Sequence, residues 1–159
     1  MKKSYEMNQT AYLSEIMVRM IAQAFRCEWH PNEIPGGDKW GEYLLVRDNE
    51  MKALLRVFPD HPPEDTEAPH YLSLEEANRV ATTFRSLGLK LLVARRTVAG
   101  LALVALDGAS IDRIHTWKTS AGEFRAGWII DPIEFRRNVP LEAGKKWSDY
   151  QTAGGPDAR

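Results

Sequence analysis

The sequence predicts a single α+β domain, in which a mixed, mainly antiparallel sheet of four to five strands is packed against two main amphipathic helices. Three observations predict this class. Apolar residues recur at helical spacing over residues 10–26 and again over 73–87, and two strand-like runs, 42–47 and 51–58, flank a polar turn. A chain of 159 residues also has the usual size of one domain with its own core.

The first predicted helix begins at a Thr10 cap and runs to Arg26. Its apolar residues, among them Leu13, Met17 and Met20, recur three or four positions apart and therefore share one face. The methionines on that face are interpreted as core residues that fill irregular gaps.

The two strand-like runs form a predicted hairpin. Residues 42–47 and 51–58 are rich in Leu, Val, Tyr and Phe, and the polar residues 48–50 between them favour a turn. In the second strand, apolar residues alternate with Lys52 and Arg56. One face is therefore expected to be buried and the other partly in contact with water.

The second helix has clear end signals. Ser73 and Glu76 have the spacing of a capping box, in which each can satisfy a free amide of the first turn. Gly88 is the expected left-handed residue after the last turn. Two apolar runs, 89–95 and 101–106, predict further strands, the first near the middle of the sheet because it is apolar on both faces.

The last third of the chain has weaker patterns. They predict a short helix over residues 110–117, an edge strand over 123–130 and a helix over 131–138. The domain is expected to cover residues 1–147, and the composition of residues 148–159 predicts a flexible C-terminal tail.

The composition indicates a cytoplasmic protein. Cys27 is the single cysteine, so no intrachain disulfide can form and a reducing compartment is expected. The sequence shows neither a secretory signal nor an apolar stretch long enough to span a membrane. A membrane partner is therefore not predicted.

Charge is divided unevenly along the chain, although the net charge is −1. Residues 28–78 contain twelve acidic and four basic residues, whereas residues 79–147 contain six acidic and twelve basic residues. Two interpretations stay open. The two halves can pair internally, which is the favoured interpretation, or the basic half can form a surface for a charged partner.

Residues 59–69 are predicted to form an exposed irregular loop, because they contain four prolines and almost no apolar side chains. Loops of this length without secondary structure often carry function. Its acids, Asp60, Glu64, Asp65 and Glu67, are therefore a second candidate contact with a partner.

The sequence contains no complete catalytic signature. Two sets of metal ligands can be considered, His30 with Glu28 and Asp38, and His61 and His70 with the loop acids, but neither has the spacing of a zinc or calcium motif. The glycine-rich motifs of phosphate and dinucleotide sites are also absent. We therefore predict no catalytic residue, no metal and no cofactor.

The order helix, hairpin, helix, strand, together with residues 83–94 (TFRSLGLKLLVA), resembles the core of restriction-endonuclease-like nucleases. Those enzymes use an acidic residue followed by an acid-x-Lys strand to hold a metal beside the scissile phosphate. The corresponding strand here reads Leu54-Leu55-Arg56-Val57, without the carboxylate and without the lysine. The resemblance therefore implies an inactive relative.

Seven cationic or aromatic residues are the candidate partner-binding residues. Trp and Arg are enriched at the energetic centres of protein interfaces, and cations beside aromatic rings also suit nucleic acid. The seven residues are Arg95, Arg96, Trp117, Lys118, Arg125, Arg136 and Arg137.

The first predicted function is that of a small non-enzymatic binding or regulatory protein, of the inhibitor, adaptor or immunity type, that presents this surface to another protein. The alternative is a nucleic-acid-associated protein that uses the basic C-terminal half, although a pI of about 6.4 argues against a dedicated binder. Two further alternatives are an inactive relative of the restriction-endonuclease-like nucleases and a metal-dependent nuclease. The sequence leaves the oligomeric state open.

Overall fold

The computed structural model describes residues 2–32, 43–107 and 114–154, and the side chains of residues 12–32, 43–107 and 114–150. The elements in chain order are helix α1 (Lys2–Phe25), strands β1 (Glu28–Pro31), β2 (Tyr43–Arg47), β3 (Glu50–Phe58) and β4 (His70–Ser73), helix α2 (Leu74–Leu87), strands β5 (Lys90–Thr97), β6 (Gly100–Leu106), β7 (Ile114–Lys118) and β8 (Phe124–Ile130), a 3-10 turn (Pro132–Glu134), strand β9 (Arg137–Pro140) and helix α3 (Trp147–Gly154).

The strands of the described residues form two sheets. The large sheet has six strands in the order β1-β2-β3-β5-β6-β9, and the small sheet has three in the order β4-β8-β7. The α+β class and the mixed, mainly antiparallel large sheet are confirmed, but the expected four to five strands are too few. Strands β1, β4 and β9 have four residues each, which is too short for an alternating pattern to be recognised.

Strands β3 and β5 are the parallel pair of the large sheet, and the other pairings in it are antiparallel. Both faces of this sheet are covered. On one face, Met17 and Ile21 of α1 pack against Leu55 and Leu103. On the other face, α2 and the small sheet contribute a second cluster of buried residues, which includes Val80.

The end signals of α2 are confirmed. The Ser73 hydroxyl accepts a hydrogen bond from the Glu76 amide at 3.1 Å, and Gly88 has φ +69° with its amide donating to the Phe84 carbonyl at 2.8 Å. The Glu76 carboxylate does not complete the capping box, because it pairs with Arg56 instead. The cap is therefore half of the predicted box, and the other half ties α2 to β3.

The predicted hairpin is also confirmed. Asp48 and Asn49 form its two-residue turn with φ of +55° and +63°, the left-handed conformations that the tight turns of twisted hairpins require. Helix α1, by contrast, begins at Lys2 rather than near Thr10.

Three predictions for the last third were wrong. Residues 114–117 of the predicted helix belong to strand β7, and residues 110–113 lie outside the described residues. Residues 123–130 are not at an edge, because β8 lies between β4 and β7 with Trp128 and Ile130 buried. The helix predicted over 131–138 is one 3-10 turn, after which the chain enters β9.

Helix α3 begins at the boundary between the predicted domain and the predicted tail. Trp147 is buried, and its indole N–H donates to the Thr97 carbonyl at 2.6 Å. Residues 148–154 continue the helix, and residues 155–159 lie outside the described residues, so the flexible tail stays a prediction. None of the described helices combines the length and the apolarity that crossing a membrane needs.

We expect Gly127→Ala to lower the free energy of unfolding by at least about 2 kcal/mol, because a Cβ at this position would lie 2.0 Å from the Leu72 carbonyl oxygen and force β4 and β8 apart. Urea denaturation measures the change. Gly88→Ala is the control, since its Cβ would meet no atom within 4 Å and only the positive φ costs about 1 kcal/mol. A loss for Gly127→Ala no larger than that of the control would contradict the prediction.

Candidate nucleic-acid interface

The small sheet has one buried face and one face toward solvent. In the antiparallel register, Leu72, Trp128 and Ile114 lie side by side on the buried face. Because side chains alternate along a strand, the neighbouring residues point the other way. We call this solvent side the outer face, and its residues are Tyr71, His115, Trp117, Arg125 and Ile129.

Two aromatic rings meet on the outer face. Tyr71 of β4 and Trp117 of β7 have ring centroids 5.1 Å apart and ring planes inclined by 32°. Gly127 of the middle strand lies between them in the register and has no side chain to separate the rings. Tyr71 is 48% exposed. The pair therefore presents aromatic surface to solvent.

One cation lies beside the aromatic pair, and a second lies at the end of the same hairpin on its other face. Arg125 is directly opposite Trp117 in the register, and its guanidinium lies 2.8 Å from the Glu123 carboxylate, with both side chains exposed. At the end of the same hairpin, the Lys118 ammonium lies 5.6 Å from the centroid of the Phe124 ring. Such exposed ion pairs contribute little to stability, so the cations can exchange their partner for another anion at low cost.

Of the seven predicted partner-binding residues, the small sheet carries Trp117, Lys118 and Arg125, and it brings Trp117 and Arg125 together on the outer face. Arg136 and Arg137 are exposed but lie at and just before β9, the edge strand of the large sheet. The Arg137 guanidinium is 5.8 Å from the centroid of the Phe25 ring. These two arginines therefore belong to a different surface, where partner binding stays a prediction.

Arg95 and Arg96 are buried, with 4% and 8% of their surface exposed. Arg95 donates to the Ala68 carbonyl at 2.6 Å and to the Thr66 carbonyl at 3.4 Å, and Arg96 donates to the His61 carbonyl at 3.5 Å. Burial lowers the pKa of both guanidinium groups. Arg95 and Arg96 therefore support the loop over residues 59–69. Contact of these two arginines with a partner stays a prediction.

The loop over residues 59–69 is therefore anchored, and the prediction that it is exposed was wrong at His61. His61 is 7% exposed, and its Nε2 lies 2.7 Å from the Asp65 carbonyl oxygen. The Asp65 carboxylate accepts from the amides of Glu67 and Ala68, each at 3.0 Å, and these bonds hold the pKa of Asp65 below its ordinary value.

The other loop acids are exposed. Asp60, Glu64 and Glu67 all lie toward solvent. A contact between these acids and a partner stays a prediction.

A pocket of about 480 Å³ lies at the carboxyl end of β3. We call it the strand-end pocket, and its lining residues are Ser14, Arg56, Val57, Phe58, Pro59, Asp60, His61 and His70. The His70 ring stacks on Phe58 with centroids 4.3 Å apart, and the His61 ring is 5.0 Å away. Burial is the main cause that lowers the pKa of His70 to about 4, and the electrostatic effects of His61, Arg95 and Arg56 act in the same direction.

The structure brings His61 and His70 together without the carboxylates that would complete a metal site. Over residues 2–32, 43–107 and 114–154, no group of three or more His, Cys, Asp or Glu side chains is placed to hold a metal ion. Of the other ligand set, His30 and Glu28 lie 3.7 Å apart and exposed on β1, and Asp38 lies outside the described residues.

In the strand that would carry the acid-x-Lys motif, Leu54 and Leu55 are buried in the two cores. At these positions the strand therefore contributes apolar side chains to the two cores.

Tyr71 was not among the residues predicted from the sequence. Its neighbours His70 and Leu72 face inward, so an alternating pattern was present, but four residues are too few to identify a strand. Gly127 was missed because its role depends on strands that are distant in sequence.

Comparisons with known proteins give little further information. No family model and no curated protein matches the chain. Among solved structures, a Holliday junction resolvase from Archaeoglobus fulgidus is similar, with 14% sequence identity, a TM-score of 0.47, and coverage of 82% of this chain and 94% of that chain. This likeness is too low to establish a shared fold or activity.

We expect His70 to make the protein less stable in mild acid. Its pKa is about 4 in the folded protein and about 6.5 when unfolded, so the unfolded state takes up the proton first and stability falls from pH 6.5 toward pH 4. His70→Phe should remove about 1–2 kcal/mol of this loss in the free energy of unfolding. The full pKa shift corresponds to a larger energy, which is reduced here because solvent screens the half-buried ring.

Urea denaturation at a series of pH values measures the effect of His70→Phe. His30→Phe is the control, because the His30 side chain is exposed, and it should keep the wild-type slope. Equal slopes for wild type and His70→Phe would contradict the prediction.

Proposed function

We propose that the protein binds single-stranded nucleic acid on the outer face of the small sheet, without catalysing a reaction on it. The observation that carries the proposal is the pair of the exposed Tyr71 and the half-buried Trp117, with Arg125 beside it. Single-stranded nucleic acid is commonly bound by sheet surfaces whose aromatic side chains stack on unpaired bases while cations neutralise phosphates.

The aromatic pair limits how a base can bind. A base inserted between two rings needs a centroid separation of about 7 Å, twice the axial spacing of about 3.4 Å between successive nucleotides of one DNA strand. The Tyr71 and Trp117 rings are 5.1 Å apart, so a base does not fit between them. Bases therefore stack on the exposed side of the pair, and the aromatic contact covers one or two nucleotides.

The phosphates next to a stacked base are within reach of Arg125 on the same face of the hairpin. Arg125 needs to give up only an exposed ion pair with Glu123, whereas Lys118, the residue after Trp117, points to the other face of the hairpin. Each phosphate contact releases counterions, which makes the affinity fall as salt rises. Base stacking and the attraction between cations and phosphates should therefore both contribute to the affinity for single-stranded nucleic acid.

A protein partner, the first function predicted from the sequence, would use the same residues. The centre of a protein interface is typically apolar and closely packed. In the outer face, the position between the aromatic rings is Gly127, flanked in the register by Ser73 and His115. A small polar centre with aromatic and cationic neighbours supports nucleic acid better than a protein partner.

We expect Trp117→Ala and Tyr71→Ala to weaken binding to single-stranded oligonucleotides roughly tenfold to hundredfold each, since a base stacked on an aromatic ring contributes about 1–3 kcal/mol. Fluorescence anisotropy with labelled homopolymers measures the affinity. Tyr71→Phe keeps the ring and should bind like wild type. Full binding by both alanine variants, with thermal melts showing them folded, would reject the proposed surface.

We expect Arg125→Gln to reduce the slope of log affinity against log salt by about 0.7, the contribution of one phosphate contact on a single strand. Binding measured between low and moderate salt gives the slope. Arg19→Gln is the matched control, because Arg19 is also exposed and paired with an acid but lies on α1. If the two variants change the slope equally, Arg125 has no specific role.

A further inference from the structure

Among the described residues, strands β1 and β9 form the edges of the large sheet, and β4 and β7 form those of the small sheet. The unpaired backbone groups of an edge strand can bind a further strand, and proteins commonly prevent this with proline or with very short strands. Strand β1 contains Pro31 and β9 contains Pro140, whereas β4 follows Pro69 and runs directly into α2. Strand β7 has five residues and no proline. It is therefore the described edge best suited to bind another strand.

The hairpin of β7 and β8 determines which backbone groups of β7 point outward. The Thr119 amide, just after β7, donates to the Glu123 carbonyl at 2.8 Å. Residues that exchange hydrogen bonds with the neighbouring strand alternate along an antiparallel pair, so His115 and Trp117 bond to β8. The amides and carbonyls of the alternate residues point away from β8, and we call them the open edge. These residues are Ile114, Thr116 and Lys118.

The open edge is complementary to a second copy of itself. In an antiparallel pairing about a two-fold axis at Thr116, Thr116 faces Thr116 of the second copy, and Ile114 faces Lys118. All five residues of β7 are then paired, and each outward amide meets an outward carbonyl. No like charges lie opposite each other, and a Thr–Thr pair is a favourable cross-strand pair. A register shifted in either direction would leave part of the strand unpaired.

We propose that β7 pairs in this register with β7 of a second copy, which joins two three-stranded small sheets into one continuous sheet. The two-fold axis is perpendicular to the sheet, so both outer faces lie on the same side. Trp117 then lies opposite His115 of the second copy. The two Trp117 residues are diagonal neighbours about 7–8 Å apart, a distance that aromatic side chains can span. The dimer therefore unites the two Tyr71–Trp117 pairs in one aromatic surface.

The dimer is weak and reversible. Pairing of two short strands buries little surface, and interfaces below about 1,200 Å² are typical of transient complexes. The pairing itself does not depend on nucleic acid. One consequence rests on the proposed function: two copies on the same single strand would bind cooperatively, because the first bound copy raises the effective concentration of the second.

Sedimentation velocity of the full chain at rising concentration tests the pairing. We expect wild type to pass reversibly from monomer to dimer, and Thr116→Pro to stay monomeric. The Thr116 amide belongs to the open edge, so proline removes a bond between copies and keeps those between β7 and β8. Thr116→Val is the control, because it keeps the amide and should still form the dimer. Thermal melts compare the stability of the two variants.

A charge exchange at the same position tests the two-fold register without relying on a loss of binding. The Thr116 side chain is exposed, so it can be replaced by a charged one. Thr116→Lys alone and Thr116→Glu alone each place like charges opposite each other and should weaken the dimer severalfold. An equal mixture of the two variants should form a mixed dimer at least as tight as wild type. The same two substitutions at Thr82, exposed on α2, should change neither the separate nor the mixed samples.

Three results would overturn the proposal. They are a wild type that stays monomeric as its concentration rises, a Thr116→Pro variant that forms the dimer like wild type, and a Lys–Glu mixture that associates no more tightly than its components. Each leaves the proposed function intact, since the Tyr71–Trp117 pair of one copy would still bind short oligonucleotides. Conversely, a protein that binds no oligonucleotide would still give the sedimentation results expected here.

Discussion

The parallel pairing of β3 with β5 is the constraint on which the strand-end pocket and the outer face of the small sheet depend. Two parallel neighbours cannot be joined by a tight turn, so the chain must leave the large sheet after Phe58 and return to it at Lys90. Along this crossover it forms the loop over residues 59–69, then β4, then α2. The loop encloses the strand-end pocket, and β4 becomes one edge of the small sheet that carries the outer face.

The charge distribution of the sequence has a specific structural counterpart. The acidic and basic halves meet where Arg95 and Arg96 hold the 59–69 loop, and there the two guanidinium groups donate to backbone carbonyls. Ion pairs such as Arg125 with Glu123 join residues close in sequence and remain exposed. Internal pairing of the two halves, the favoured interpretation, is therefore seen at the loop anchor and at the Arg79–Glu75 pair, whereas Arg125 on the small sheet remains accessible to solvent.

The sequence predicted the elements whose signals are local. The caps of α2 and the Asp48-Asn49 turn depend on residues within a few positions, so their patterns were sufficient. Strand β4 and the central place of β8 depend on pairing between residues more than fifty positions apart, which no local pattern records. For the same reason residue type identified Trp117 and Arg125, but could not identify Tyr71 or distinguish the buried Arg95 from an exposed arginine.

Strand β4 explains why the strand-end pocket and the outer face are close in space yet can be changed separately by mutation. Consecutive side chains of a strand point to opposite faces, so His70 reaches the strand-end pocket while Tyr71 reaches the outer face. A substitution at either residue removes a side chain from one site and leaves the β4 backbone, paired with β8, in place. Leu72, fully buried beside them, holds that backbone against the core, so a change there would disturb both sites together.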